Sequence, residues 1–144
     1  SAYAPGSFDA VFAWMVLEHA RDPDAMIRGI ARLLRPRGWI ALSVPNLASW
    51  EFAFFRGAWY ALECPRHLTH FTPSSLTSTL ARNGFEDCRI LHQRSLSSAI
   101  GSAGWKDYPD RPHFLLQAAL YPLACVVAAL RKSSRITVLA RKKG

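Results

Sequence analysis

Histidine and cysteine side chains in two short segments carry most of the chemistry that the sequence offers. His19 follows Glu18 in the segment LEHA, and Cys64, His67 and His70 stand three residues apart in CPRHLTH. Histidine is the usual general base near neutral pH, so His19 is the best candidate to accept a proton or orient a substrate. The alternative is that His19 and Glu18 only cap and brace a loop.

The spacing of Cys64, His67 and His70 raises the question of a metal site, because zinc prefers thiolate and imidazole ligands. The spacing is irregular for the known zinc-finger patterns, and no second ligand pair follows. The sequence therefore predicts no metal site.

A strand, a helix and a second strand position the first of these segments. Residues Phe8 to Trp14 and Trp39 to Val44 are almost continuously apolar, which is typical of strands covered on both faces in a parallel sheet. Between them, from Asp22 to Arg35, the apolar period is helical, and Pro36 and Gly38 are the expected stop. Units of this kind are normally right-handed crossovers in a parallel sheet.

The second half of the chain has less uniform elements. Residues Ser49 to Tyr60 are rich in aromatic side chains and predict a short helix broken near Gly57. A further helix is expected from the cap Thr72 to the stop at Gly84. Three more segments follow: a strand at Cys88–Gln93, a mobile loop at Ser95–Gly104 that extends to Pro112, and a final buried strand at Ile136–Ala140.

The most hydrophobic segment, Phe114 to Leu130, raises the question of whether it could cross a membrane. Its length is at the lower limit for crossing a bilayer core, and it contains Gln117 and Pro122. Two short helical turns, divided at Pro122 and packed on the protein, are the favoured interpretation. Weak contact with a membrane surface is the alternative, and Arg131 and Lys132 at its end would suit anionic lipid.

Composition and charge limit the functional classes. The 144 residues are 50% hydrophobic and 19% charged, which suits one globular domain. The net charge of +8 arises mainly at the C-terminal end, and no motif of a nucleic-acid reader is present, so no nucleic-acid partner is expected. Three widely spaced cysteines do not suit a disulfide framework, and no secretory signal is visible. These features favour the cytoplasm, with a peripheral membrane location left open.

Two long segments resemble one known family. The segment FDAVFAWMVLEHARDPDAMIRGIARLLRPRGWIALSVPN resembles the second half of a class I S-adenosylmethionine-dependent methyltransferase, most closely the ubiquinone-biosynthesis branch. CPRHLTHFTPSSLTSTLARNGF also resembles this branch. The resemblance implies an α/β fold: strands four to seven of a doubly wound, Rossmann-like sheet with flanking helices, in which the last strand is antiparallel.

The resemblance also implies roles for residues at the carboxyl ends of the strands. The cofactor S-adenosylmethionine would lie beside Trp14, Met15 and Val16. The catalytic candidates would be His19, His67 and His70. The acceptor would contact Glu18, Asn46, Arg66 and Trp59.

An aromatic group would form an apolar lid over the pocket, which suggests a small hydrophobic acceptor such as a quinol or a lipid-like molecule. Its members are Trp50, Phe54, Phe55, Trp59 and Tyr60. Two alternatives remain: the aromatic group is simple core packing, and Asn46 is a turn former after Pro45.

The sequence departs from the family in its cofactor site. That site is built mainly on the first two strands, from a glycine-rich turn and an acid that binds the ribose. Here the only close pair of glycines, Gly101 and Gly104, lies late in the chain. Residues 1–144 are therefore expected to be the C-terminal part of a methyltransferase domain, without the N-terminal cofactor-binding half and inactive alone. A non-enzymatic interaction or membrane-surface module is the alternative.

The strand Phe8 to Trp14 would be interior in a complete domain of this kind. Its outer edge would be open in residues 1–144, and Asp9 is its only charged residue. An unpaired apolar edge recruits other strands, so we expect self-association through this edge.

Overall fold

The computed structural model describes residues 3–104 and 114–144, and a four-stranded mixed sheet forms its centre. In chain order the strands are β1 Phe8–Trp14, β2 Leu34–Pro45, β3 Phe85–His92 and β4 Arg135–Lys142. Their order in space is β1-β2-β4-β3. Strand β1 runs parallel to β2, and β4 runs antiparallel to both of its neighbours. The predicted α/β sheet with an antiparallel last strand is confirmed.

Helices flank this sheet. The α-helices in the described residues are α1 Pro23–Leu33, α2 Trp50–Phe55, α3 Pro73–Arg82, α4 Ser97–Ser102, α5 Phe114–Ala119 and α6 Tyr121–Ala129. Helix α1 begins as predicted, because the Asp22 side chain accepts the N–H of Ala25 (2.8 Å). Helix α3 begins with a capping box between Thr72 and Ser75, and Gly84 follows its end with a φ of 86°.

Several predicted boundaries are wrong by a few residues; strand β2, for example, spans Leu34–Pro45 instead of Trp39 to Val44, and β4 spans Arg135–Lys142 instead of Ile136 to Ala140. Helix α1 ends at Leu33 instead of Arg35, because the backbone is already extended at Leu34, where β2 begins. Strand β3 begins at Phe85, three residues before the predicted start, since the fully buried Phe85 ring anchors it in the core. The last helical segment divides at Leu120, and Pro122 instead lies in the first turn of α6.

The predicted loop at Ser95–Gly104 is also wrong in part, because residues Ser97–Ser102 form helix α4. Two apolar side chains, Leu96 and Ile100, are buried there and hold the turn against the protein. The Ser102 hydroxyl stabilises it by donating to the carbonyl of Ser98 (2.7 Å). Residues 105–112 of the predicted loop lie outside the described residues.

The core lies between one face of the sheet and helices α1 and α3. Its fully buried side chains include Ile27, Ile40, Leu42, Leu76, Leu80 and Ile136. Strands β1 and β2 approach closely at Gly38, where a Cβ atom would lie 3.0 Å from the carbonyl oxygens of Arg35 and Asp9. Any larger residue at this position would push the two strands apart.

Part of the second sheet face is exposed. Phe12 and Trp14 on β1 are 67% and 49% exposed, and Trp39 of β2 lies on the same face. Strand β1 is the edge of the sheet, and no other described strand pairs with its outer side. Within residues 3–104 and 114–144, no helix has the length and apolar character needed to span a membrane.

Candidate functional site

A sharp turn after β1 creates the polar cluster. Met15 adopts a left-handed backbone conformation (φ 54°), and its N–H donates to the Ser43 carbonyl on β2 (2.9 Å). The following residues form the 3₁₀ turn Leu17–His19. Leu17 is buried in the core, so the two polar residues after it are fixed at the carboxyl ends of the parallel strands, where open α/β sheets bind ligands.

Glu18 is the buried acid of this cluster. It is 1% exposed, yet neither carboxyl oxygen has a hydrogen-bond partner in the part of the chain that the structure describes. Burial raises the pKa of the carboxyl above its ordinary value, and the nearby side chains of His67, His19 and Arg135 oppose the rise. Because such orphaned buried atoms are rare, they indicate a place for a ligand, a water or a proton.

His67 connects Glu18 with a second acid. Its Nδ1–H donates to the carbonyl of Ala61 (2.9 Å), which directs Nε2 toward carboxylates. Nε2 lies 3.3 Å from Glu63 Oε2 and 4.0 Å from Glu18 Oε1. The imidazole is almost completely buried, whereas the side chain of Glu63 is 27% exposed, so His67 connects a buried carboxyl with one that reaches the surface.

His19 is held by the histidine-rich loop. Its Nδ1–H donates to the carbonyl of Arg66 (3.0 Å), and its ring centroid lies 4.7 Å from that of His67. In the neutral tautomer this leaves a lone pair on Nε2, as a general base requires. His70 lies farther out: its ring centroid is 6.2 Å from that of His67, and its Nε2–H donates to the Leu62 carbonyl (3.0 Å).

The three central side chains could also hold a metal ion. One donor atom each from Glu18, His19 and His67 lies within 4.8 Å of the others, and imidazole and carboxylate are suitable zinc ligands. Of Cys64, His67 and His70, whose spacing raised the question of a zinc site, only His67 belongs to this group of donors. Cys64 is an exposed free thiol. The donor set is therefore a different one from that considered in the sequence.

The three residues predicted to contact the cofactor lie at the end of β1. Trp14 and Val16 are exposed and Met15 is half-buried, so all three are accessible to a ligand. The side chain of Arg66 is also exposed and lies 3.8 Å from Glu63. Contacts of these residues with cofactor or acceptor remain predictions.

Asn46 and Trp59 have structural partners that match the alternatives given for them. Asn46 is fully buried; its Nδ2–H donates to the Ser133 carbonyl (2.8 Å), and its Oδ1 accepts the N–H of Ala48 (3.0 Å). It thus forms the turn after β2. Trp59 is 2% exposed and packs against Phe52, so it is a core residue instead of part of an exposed lid. Phe54, by contrast, is exposed.

Sequence reasoning missed a second buried acid, Glu51. Its Oε2 accepts the indole N–H of Trp59 (3.2 Å) and a short hydrogen bond from the Ser98 hydroxyl, while Oε1 is without a partner among the described residues. Burial raises the pKa of this carboxyl, and its bonds to Ser98, Trp59 and Ser134 oppose the rise. The signal was a single acid within the apolar segment SWEFAFF.

Comparison with known proteins identifies the family. A family described as "Methyltransferase domain" matches residues 1–90, which include β1, the Glu18 turn and the histidine loop. The chain belongs to this family. It is a class I S-adenosylmethionine-dependent methyltransferase domain of the ubiquinone-biosynthesis branch, as the resemblance implied, and S-adenosylmethionine is the cofactor of the family.

Curated relatives place this methyltransferase domain in its branch. The ubiquinone biosynthesis O-methyltransferase of Albidiferax ferrireducens is 37% identical over 84 residues, which are 54% of this chain and 33% of the relative. The same enzyme of Xanthomonas oryzae pv. oryzae is 41% identical over 73 residues, or 49% of this chain and 30% of the relative. The matched part of the chain thus spans about a third of the length of these relatives.

Solved structures support the fold. A SAM-dependent methyltransferase from Thermotoga maritima superposes with a TM-score of 0.66 at 12% identity, covering 99% of this chain and 60% of that one. At this identity the likeness concerns the fold alone. It agrees with the mixed sheet and flanking helices of the methyltransferase domain.

Proposed function

We propose that the complete protein transfers a methyl group from S-adenosylmethionine to a hydroxyl of a small, apolar acceptor. The observation that carries this proposal is the cluster of Glu18, His19 and His67 at the carboxyl ends of the parallel strands. A base is needed when the acceptor is a hydroxyl, and this cluster offers an imidazole with a free nitrogen beside a buried carboxyl.

The cofactor supplies an electrophilic methyl group, and the residues of this chain orient the acceptor and take its proton. His19 accepts the proton at Nε2, because Nδ1 is committed to the Arg66 carbonyl. The carboxylate of Glu18, which interacts with His19 through its charge, stabilises the resulting imidazolium. We infer that His70 and Arg66 contact the acceptor from the histidine-rich loop in which they lie.

The residues of this chain would contact the cofactor on one side only. Trp14, Met15 and Val16 supply one accessible wall at the end of β1. We infer that the glycine-rich turn and the ribose-binding acid belong to strands that pair with the outer edge of β1 and cover Phe12 and Trp14. The 144 residues would then be the C-terminal part of the domain and inactive alone.

The apolar character of the acceptor is supported by exposed side chains near the cluster. Leu68 is exposed in the histidine loop, and its N–H donates to the Glu18 carbonyl (2.8 Å), which places it beside the cluster. The curated relatives are named ubiquinone biosynthesis O-methyltransferases, which supports an acceptor of the hydroquinone or phenol type.

The direct test is methyl transfer by the complete protein. With S-adenosylmethionine carrying a labelled methyl group and a short-chain hydroquinone as acceptor, we expect label in a methyl ether of the product. Loss of label incorporation in His19→Ala would support the base. Transfer to nitrogen or carbon, or no transfer to any hydroxyl acceptor tested, would contradict the proposal.

A membrane-surface function is the second candidate, and the α5–α6 segment favours it. Phe114, Leu115, Leu123 and Leu130 are at least half exposed, and Arg131 follows them. Apolar side chains beside basic ones bind anionic bilayers. Such binding would place the protein at the surface of a membrane.

Sedimentation with vesicles tests this second candidate. Wild-type protein should pellet with vesicles of phosphatidylglycerol and phosphatidylcholine, and less with pure phosphatidylcholine. Leu115→Glu should reduce binding, whereas Phe12→Glu, at an exposed position on β1 at the opposite edge of the sheet, serves as the control. Equal loss in both variants, or no binding at all, would contradict it.

A further inference from the structure

The connection between β3 and β4 is longer than the sheet requires. These strands are antiparallel neighbours, which a turn of a few residues can join. Here residues 93–134 join them and contain helices α4, α5 and α6. Two cavities lie against α6, and no residue of the Glu18 cluster lines either of them. The connection therefore forms a surface of its own.

The first cavity is apolar. It has a volume of about 390 Å³, and its apolar lining includes Leu96, Phe114, Leu120 and Ala124. Small-molecule sites in proteins have volumes of roughly 300–1,000 Å³ and are lined mainly by apolar side chains. Arg94 is the only charged residue among the described residues that line this cavity. The cavity is thus suited to an apolar group that ends near one positive charge.

The second cavity carries positive charge. It has a volume of about 510 Å³ and lies between β3 and the C-terminal half of α6. Arg94, Arg131 and His92 line it. Burial lowers the pKa of His92, and the charge of Arg131 contributes to this effect, so the Arg131 guanidinium lies close enough to act on a side chain of the cavity. Two guanidinium groups beside one cavity are suited to bind a phosphate.

Arg94 joins the two cavities. A hydrogen bond with Tyr121 raises the pKa of Arg94, and the charges of Tyr121 and Cys125 contribute to the rise. Tyr121 lines the first cavity and Cys125 lines the second. The Arg94 guanidinium therefore lies where the apolar cavity meets the positively charged one.

Negative charge is absent from the described surroundings of this surface. From Cys88 to the C-terminus, the residues that the structure describes include no aspartate or glutamate. Within the same described part of the chain, neither Arg94 nor Arg131 forms an ion pair. Their charges are therefore available to an anion, and the local field attracts one.

We propose that this surface binds one molecule of a single-chain amphiphile with a phosphate head, whose tail fills the apolar cavity and whose phosphate contacts Arg94 and Arg131. The proposal goes beyond methyl transfer and beyond attachment to a bilayer, because the ligand is a single dissolved molecule. The apolar cavity explains the tail, and the two arginines explain the charge of the head.

Three probes test the two halves of the ligand separately. Decyl phosphate carries both halves, its neutral dimethyl ester lacks the charge, and inorganic phosphate lacks the tail. By calorimetry with the complete protein at pH 8, decyl phosphate should bind about tenfold more tightly than its ester, as a charged hydrogen bond implies. It should bind at least about 100-fold more tightly than inorganic phosphate, because burial of the chain is favourable. An ester or an inorganic phosphate that binds as tightly as decyl phosphate would overturn the inference.

Arginine variants locate the head. Arg94→Gln and Arg131→Gln should each reduce the preference for decyl phosphate over its ester about tenfold. Arg89→Gln, an exposed arginine on β3 that lines neither cavity, is the matched control and should retain the preference. A preference that Arg89→Gln reduces equally would show that the general positive charge, and not these two residues, attracts the amphiphile.

A pair of tryptophan variants locates the tail. Ala118 and Ala119 are adjacent exposed residues of α5, but only Ala118 lines the apolar cavity. The indole of Ala118→Trp should fill the cavity and weaken binding of decyl phosphate at least tenfold, whereas Ala119→Trp should bind it as the wild type does. Equal affinities in the two variants would show that the tail lies elsewhere.

Two further measurements separate this site from the other functions. His19→Ala should bind decyl phosphate with unchanged affinity, and a loss would place the amphiphile in the acceptor site and overturn the inference. Binding should also occur below the concentration at which decyl phosphate forms micelles, and binding only above it would assign the interaction to a lipid surface. Because neither measurement follows methyl transfer, failure here leaves the proposed function standing.

Discussion

The Nε2 atom of His67 lies 4.0 Å from the Oε1 atom of Glu18, and both side chains are almost fully buried. The carbonyl of Ala61 fixes the orientation of the imidazole, so the approach of the two groups is set by the backbone. Moving either group would require the histidine loop or the turn after β1 to move. This pair therefore gives His19 an electrostatic environment that is already formed before the acceptor binds.

Replacing Glu18 with glutamine should stabilise the protein at alkaline pH. The folded-state pKa of Glu18 is raised by burial, so the charged form is disfavoured by folding as pH rises through that pKa. Below the ordinary pKa the acid is neutral in both states and the substitution should have little effect. Thermal unfolding at pH 8 should show a Tm a few degrees higher, on the order of 1 kcal/mol, and no gain at pH 4. An equal gain at both pH values would contradict this account.

His19 should control turnover and have little effect on cofactor affinity. His19→Ala should lower kcat by about 100-fold, because a positioned general base contributes on this scale. His19→Asn is the informative comparison, since its amide N–H can still donate to the Arg66 carbonyl. If His19 only braces the loop, the asparagine variant will recover activity; if it is the base, both variants will remain slow at unchanged cofactor Kd.

Periodicity predicted most of the fold because the sheet and its two long helices follow local rules. Asp22 and Thr72 cap helices as their positions indicate, and the apolar strand Phe8–Trp14 lies where expected. Helix α4 was missed because Ser and Gly carry a weak helical signal, and tertiary burial of Ile100 decides its conformation. A local sequence pattern does not show where in the core the side chains of a segment with weak helical propensity will be buried.

Only part of the candidate site was predicted, because the rest depends on contacts between residues that are distant in sequence. His19 and Glu18 are adjacent in sequence, so their shared location follows from one strand end. Their contact with His67 and Glu63 depends on how a distant loop folds back, which spacing along the chain does not determine.

Residues 1–144 alone should bind S-adenosylmethionine much more weakly than the complete protein. They contain one wall of the expected cofactor site, at Trp14 to Val16, and lack a glycine-rich turn near a strand end. Calorimetry on both proteins compares them directly. Micromolar binding by residues 1–144 would show that these residues hold a complete cofactor site and would overturn the proposed division of the domain.

The outer edge of β1 should make residues 1–144 self-associate. This edge has no partner strand among the described residues, and the exposed rings of Phe12 and Trp14 lie beside it. An open strand edge presents backbone donors and acceptors to a second strand, and a symmetric pair of edges gives a closed dimer. Light scattering should therefore report a mass near twice 16.1 kDa at high concentration.

Two lysine substitutions distinguish association through the edge of β1 from nonspecific association through exposed aromatic side chains. Phe12→Lys places a charge beside the edge without entering the core and should shift the protein to monomer. Phe54→Lys, at an exposed ring on α2, makes the same chemical change elsewhere and should leave the dimer intact. A wild-type monomer at high concentration would refute the association, and a dimer that withstands Phe12→Lys but dissociates in Phe54→Lys would assign it to the aromatic surface of α2.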